Sequence, residues 1–208
     1  MKSDIKFLSE NQPSFSPLLK ERYFSVLYFL LLIMTYFICV NFIDVRRDDD
    51  LSSSYYFFES LVLVSLSFSS SLVAYRLLTP GKKVSNLKRI LFISLGLYLA
   101  SLFYRMPTTG VANQFLLESD ISRGGCGVLI GIFSLASFGA LYSIVLRKGY
   151  VFKKGLFSFS LACATCSIGT ISMQVICEHE SVAHVLVYHA PPFVALGLIF
   201  YLWQRIKA

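Results

Sequence analysis

Six long apolar runs, separated by short polar segments, organise this chain: Tyr23 to Ile43, Ser60 to Leu78, Leu87 to Tyr104, Gly125 to Leu146, Leu156 to Cys177 and Val182 to Trp203. Each is close to the roughly 20 residues an α-helix needs to cross the hydrocarbon core of a bilayer. A single segment in lipid can satisfy its own backbone hydrogen bonds only as a helix. The pattern therefore predicts an all-α, polytopic membrane protein, a bundle of six transmembrane helices. The connections are too short to hold a soluble domain, so residues 1–22 form a tail and residues 23–208 one membrane domain. That tail is rich in Pro, Ser and charge, which is unlike the start of a cleavable signal, and the first run is expected to remain as a span.

Composition agrees with the pattern, since 55% of the residues are hydrophobic and 15% are charged. The charges also orient the helices. Of the 19 Lys and Arg, fifteen fall on the tail, the second and fourth connections and the C-terminus, and four fall on the opposite side (Arg46, Arg47, Arg105 and Arg123). By the positive-inside rule the tail and the C-terminus are cytoplasmic. The net charge of +7 is spread over short loops rather than gathered on a soluble module, so no direct contact with nucleic acid is expected. No Asp, Glu, Lys or Arg lies near the middle of a run, and such residues are the usual mark of an ion or proton path. That weighs against a transporter or pump.

The reactive residues gather at one level. Cys126 opens the fourth run and Cys177 closes the fifth, both on the side opposite the tail, and His184 and His189 fall in the first turns of the sixth. Thiolate and imidazole together suit soft or borderline divalent metals such as zinc, copper or cadmium, with Glu178 and Glu180 available to complete a shell. The same thiols could form a disulfide if their Cα atoms come within about 7 Å. Packing as small hydrophobes is the third alternative. Cys163 and Cys166 lie deep in the fifth run, where packing is the expected role. Pro191 and Pro192, just after His189, predict a kink or a late start to the sixth helix.

Catalytic motifs are missing: there is no glycine-rich phosphate loop, no H-E-x-x-H and no G-x-S-x-G. The chain is not expected to be an enzyme. A thiol-redox membrane oxidoreductase and a small metal or solute transporter stand as alternatives. In the tail, Ile5 with Leu8, and Phe15 with Leu18, form two small apolar groups broken by Pro13 and Pro17, a pattern that can hook a partner and order on binding.

The segment Cys177 to Gly197, "CEHESVAHVLVYHAPPFVALG", resembles the signature of the bacterial six-span negative regulators of sigma factor F, in which a Cys and an acidic turn precede an aromatic-His pair. "LTPG" at Leu78 to Gly81, the "GGCG" holding Cys126, "RKGY" at Arg147 to Tyr150 and a tail of "SDIKFLSEN" type extend the similarity over nearly the whole chain. The chain departs from the family at Tyr188, where Trp is usual, and at His184, where an apolar aromatic is common. The resemblance implies an anti-sigma factor of the bacterial inner membrane. Such a protein would hold an extracytoplasmic-function sigma factor until an envelope metal or oxidative stress acts on Cys126 and Cys177.

Overall fold

The computed structural model describes residues 20–42, 54–79, 82–104, 125–144, 151, 153–177 and 185–206. The expected hook residues Ile5, Leu8, Phe15 and Leu18 lie outside the described residues, as does His184. Six long α-helices account for almost all of what is described: α1 (Glu21–Phe42), α2 (Ser54–Leu77), α3 (Ser85–Tyr104), α4 (Gly125–Ile144), α5 (Lys154–Ile176) and α6 (Ala190–Ile206). Among the described residues there is no strand, and each of the six spans, the last counted from Val185, is long and apolar enough to cross a membrane.

Their limits follow the apolar runs closely, apart from α6, which becomes α-helical only at Ala190, and α2. That helix begins at Ser54, six residues before the run, because nothing in the intervening residues 54–59 breaks a helix. Glu59, which the sequence puts just outside a span, therefore lies within α2 and is 3% exposed.

The six spans are not equivalent. The span of α5 is 89% buried, against 22% for α1, α3 and α4. It forms the centre of the bundle, packing on α2 most extensively and also on α4, α6 and α1, while α3 lies against α2. Lipid gives helices no hydrophobic reason to associate, so close approach must come from small residues and interhelical hydrogen bonds. Both are present. Ser67, Ser70, Ser71, Ser158, Ser160, Ala162 and Ala164 are buried on α2 and α5. The Tyr28 hydroxyl donates to the Ala164 carbonyl at 2.8 Å and lies 2.6 Å from Ser67 Oγ, tying α1, α2 and α5 together. Ser60 Oγ donates to Gln174 Oε1 at 3.0 Å, a second link between α2 and α5. The outward faces of α1, α3, α4 and α6 carry large exposed side chains such as Phe37, Ile93, Val128 and Leu198, the surface that lipid would cover.

One end of the bundle is fastened by charge. Glu21, at the start of α1, accepts from Arg76 Nε at 2.8 Å and from Lys82 Nζ at 2.9 Å, while Arg76 also donates to the Lys83 carbonyl at 2.9 Å. Phe24 stacks on Tyr75 beside this group, with centroids 4.6 Å apart. The candidate reactive residues stand at the opposite end.

Candidate functional site

Three separate chain segments meet at the far end of α5. Cys126 is the second residue of α4. Cys177 is the residue at which α5 stops: its backbone turns extended (φ −80°, ψ 119°) while its N–H still donates to the Met173 carbonyl. It is 5% exposed and packs with Ile130 and Met173, so the α4–α5 interface fixes its position. Gly169 brings the two helices close, because a Cβ there would stand 3.0 Å from the Ile130 carbonyl.

The third segment is irregular. Residues Val185–His189 form a π-helical turn, and an ordinary α-helix resumes at Ala190. Proline has no N–H and its ring crowds the carbonyl four residues back, so Pro191 and Pro192 cannot complete the α pattern to Val187 and Tyr188. The widened turn is the structural answer, and turns of this kind are frequent at functional sites. The Tyr188 carbonyl instead faces α4, 2.6 Å from where a Cβ on Gly127 would be. Glycine beside Cys126 is thus what allows the π-helical turn to sit against α4.

The result is a cluster. The Sγ atoms of Cys126 and Cys177 are 3.1 Å apart. Those two atoms and a ring nitrogen of His189 all lie within 4.8 Å of one another. An S–S bond is about 2.05 Å long, so closing one needs an approach of about 1 Å. Two thiolates bound tetrahedrally to one zinc at about 2.3 Å each would stand roughly 3.8 Å apart. The observed spacing lies between the two products, and the donor set of two sulfurs and one imidazole fits a soft or borderline cation. A Cys/Cys/His cluster capable of coordinating a metal is therefore present.

Cys126, Cys177 and His189 are thus brought together from three positions in the sequence. His184, Glu178 and Glu180 fall outside the described residues. Cys163 and Cys166 do not join the cluster; both are buried within the bundle, where they line a cavity of about 270 Å³ together with His189. Sequence reasoning identified neither this cavity nor Gly127 as a spacer, although Gly127 lies inside the "GGCG" stretch that drew attention to Cys126.

A family model described as Negative regulator of sigma F matches residues 8–206. Comparisons with curated proteins and with solved structures give no match.

Proposed function

The chain belongs to the Negative regulator of sigma F family, and from that premise we propose that it is an anti-sigma factor of the bacterial inner membrane whose hold on its partner is governed by Cys126, Cys177 and His189. The partner is an extracytoplasmic-function sigma factor, held on the cytoplasmic face. The observation that carries the sensing role is the 3.1 Å separation of the two sulfurs with an imidazole beside them.

The positive-inside bias of fifteen basic residues to four supports a cytoplasmic tail and C-terminus, with the thiol cluster on the envelope side. On that orientation the cluster meets metals or oxidants outside the cell. Residues 1–22, with the apolar pairs Ile5/Leu8 and Phe15/Leu18, would meet the sigma factor inside, together with the basic connections. Capture of a cation, or closure of a disulfide, joins the start of α4 to the end of α5 and draws on the π-helical turn before α6. The packing of α5 against four other helices supports a route by which a shift at its Cys177 end is carried toward its Lys154 end. A bound species moves such a two-state equilibrium only by its differential affinity, and about 5.5 kcal/mol swings it from 1:99 to 99:1.

The class of function is tested by affinity capture of the detergent-solubilised protein from its own cells. Recovery of a sigma factor, lost when residues 1–22 are removed, is the expected result. Recovery of no sigma factor, from cells in which the protein is abundant, would contradict it.

A further inference from the structure

A cavity of about 270 Å³ lies between α2, α3, α5 and the π-helical turn, beside the thiol cluster and distinct from it: neither Cys126 nor Cys177 borders it. Leucines of α2 and α3, such as Leu63 and Leu95, form one side, and Phe193 closes the α6 side. The α5 wall is different. Cys163, Cys166, Ser167 and Thr170 all line the space, and residues three and four apart share one face of a helix. The cavity is therefore apolar, with a strip of thiols and hydroxyls along one wall.

An apolar void of roughly 150 Å³ in a protein interior stays dry and takes up benzene. A volume of about 270 Å³ has room for one or two fused rings. The α5 wall favours an aromatic occupant, because a sulfur about 5 Å from a ring, often at its edge, is an attractive contact. The hydroxyls of Ser167 and Thr170 can meet one polar group on that ring. Mostly apolar walls with a few polar groups on one side are the usual make-up of a small-molecule site.

The cavity bears on the thiol cluster through the segment between them. Val185, Leu186 and His189 of the π-helical turn line the cavity, and a ring nitrogen of His189 lies within 4.8 Å of both sulfurs. On its other side the turn abuts α4, where the Tyr188 carbonyl faces Gly127. A void withholds dispersion contacts from the groups that line it. The cavity side of the turn thus does less than the α4 side to keep His189 at the sulfurs, and a ring placed there supplies the missing support. We propose that the cavity binds a small, mainly apolar aromatic molecule of one or two rings, and that its binding holds His189 against the cluster and raises the affinity of Cys126, Cys177 and His189 for a cation. By linkage, a cation in the cluster tightens the hold on the ring by the same factor. No bond is made or broken, and the ligand touches the turn that carries the imidazole rather than the sulfurs.

The coupling rests on the thiol-sensor reading above, and its test separates the two. Fluoroindole serves as the probe, and its binding to the reduced, detergent-solubilised full chain is followed by fluorine NMR, independently of any metal. Cadmium affinity is then measured by isothermal titration with and without the probe. The expected result is saturable binding of one fluoroindole per chain and a roughly fivefold or greater tightening of cadmium, the lower end of ordinary coupling between sites. Two cavity-filling variants, Leu95→Phe and Leu102→Phe, should lose both the binding and the effect on cadmium, while Leu198→Phe, on an exposed face of α6, should behave as wild type. Three outcomes overturn the proposal: the wild-type chain binds cadmium but shows no saturable site for fluoroindole; binding persists unchanged in both filled variants; or fluoroindole binds and cadmium affinity stays the same or falls. In each of these the sensor reading stands. If the wild-type chain fails to bind cadmium with or without the probe, metal sensing fails and the coupling with it.

Discussion

The backbone carbonyl of Tyr188 lies 2.6 Å from the point that a Cβ on Gly127 would occupy, closer than real Cβ atoms come to any neighbour. The carbonyl is backbone and the position of a Cβ is fixed by the backbone, so the clash could not be relieved by rotating a side chain. The π-helical turn and α4 are in register only while residue 127 has no side chain, and that register sets His189 beside Cys126.

Gly127→Ala should therefore push the π-helical turn off α4. The expected cost is about 1 to 3 kcal/mol of stability, typical of overpacking. Metal affinity of the cluster should fall on the order of 10-fold, as when the support of a ligand is disturbed. Gly131→Ala, one turn further along α4 with nothing within 4 Å of its added Cβ, is the matched control and should be neutral in both thermal unfolding and cadmium titration.

His189→Gln separates the two chemistries open to the thiol pair. The imidazole is needed as a third donor to a metal, whereas a disulfide needs only the sulfurs, which are already 3.1 Å apart. Cadmium affinity should drop steeply while diamide still joins Cys126 to Cys177, measured by isothermal titration and by non-reducing mass tagging.

Cys163→Ala with Cys166→Ala should leave both metal binding and disulfide formation intact, since these thiols lie on the cavity wall and outside the cluster. Cys126→Ser or Cys177→Ser should abolish disulfide formation outright. A double Cys163/Cys166 variant that fails to bind cadmium in the same titration would move the sensing role into the bundle.

Glu21→Gln leaves Arg76 and Lys82 without their shared carboxylate at the other end of the molecule. The pairs are only partly buried, so the loss should be about 1 kcal/mol or less, and high salt should shrink the gap between variant and wild type. Melting in detergent at low and high ionic strength reads both effects.

Much of this architecture is legible in the sequence, and the line between what is and what is not follows the physics. A span is a length of apolar chain, so α1 to α6 can be read from hydropathy alone, and alternation across the bilayer places Cys126, Cys177 and His189 at one level. The irregular start of the last span also follows, from Pro191 and Pro192. Helix rotation about its own axis is not written so plainly, because large apolar side chains are spread around these spans. Hence the cavity, the Tyr28 bond to Ala164 and the Gly127–Tyr188 contact emerge only once the helices are packed. Glu21, Arg76 and Lys82 illustrate the same point: the sequence reads Arg76 and Lys82 as orienting charges, while their convergence on one carboxylate depends on how α1 lies against α2. Glu59 shows the limit of hydropathy at a helix end, where an aromatic run with one acid continues a helix as readily as it ends a span.

The central claim is that the state of Cys126 and Cys177 governs the hold on the sigma factor. It is tested most directly by measuring the affinity of the purified, detergent-solubilised protein for its captured sigma factor with the thiols reduced, oxidised by diamide, or loaded with cadmium, in parallel with a chain carrying Cys126→Ser and Cys177→Ser. Tight binding in the reduced state, a loss on the order of 100-fold or more on oxidation or metal loading, equivalent to about 2.7 kcal/mol, and a serine variant that binds equally under all three conditions is the predicted result. Equal affinity of the wild-type chain in all three states would contradict it.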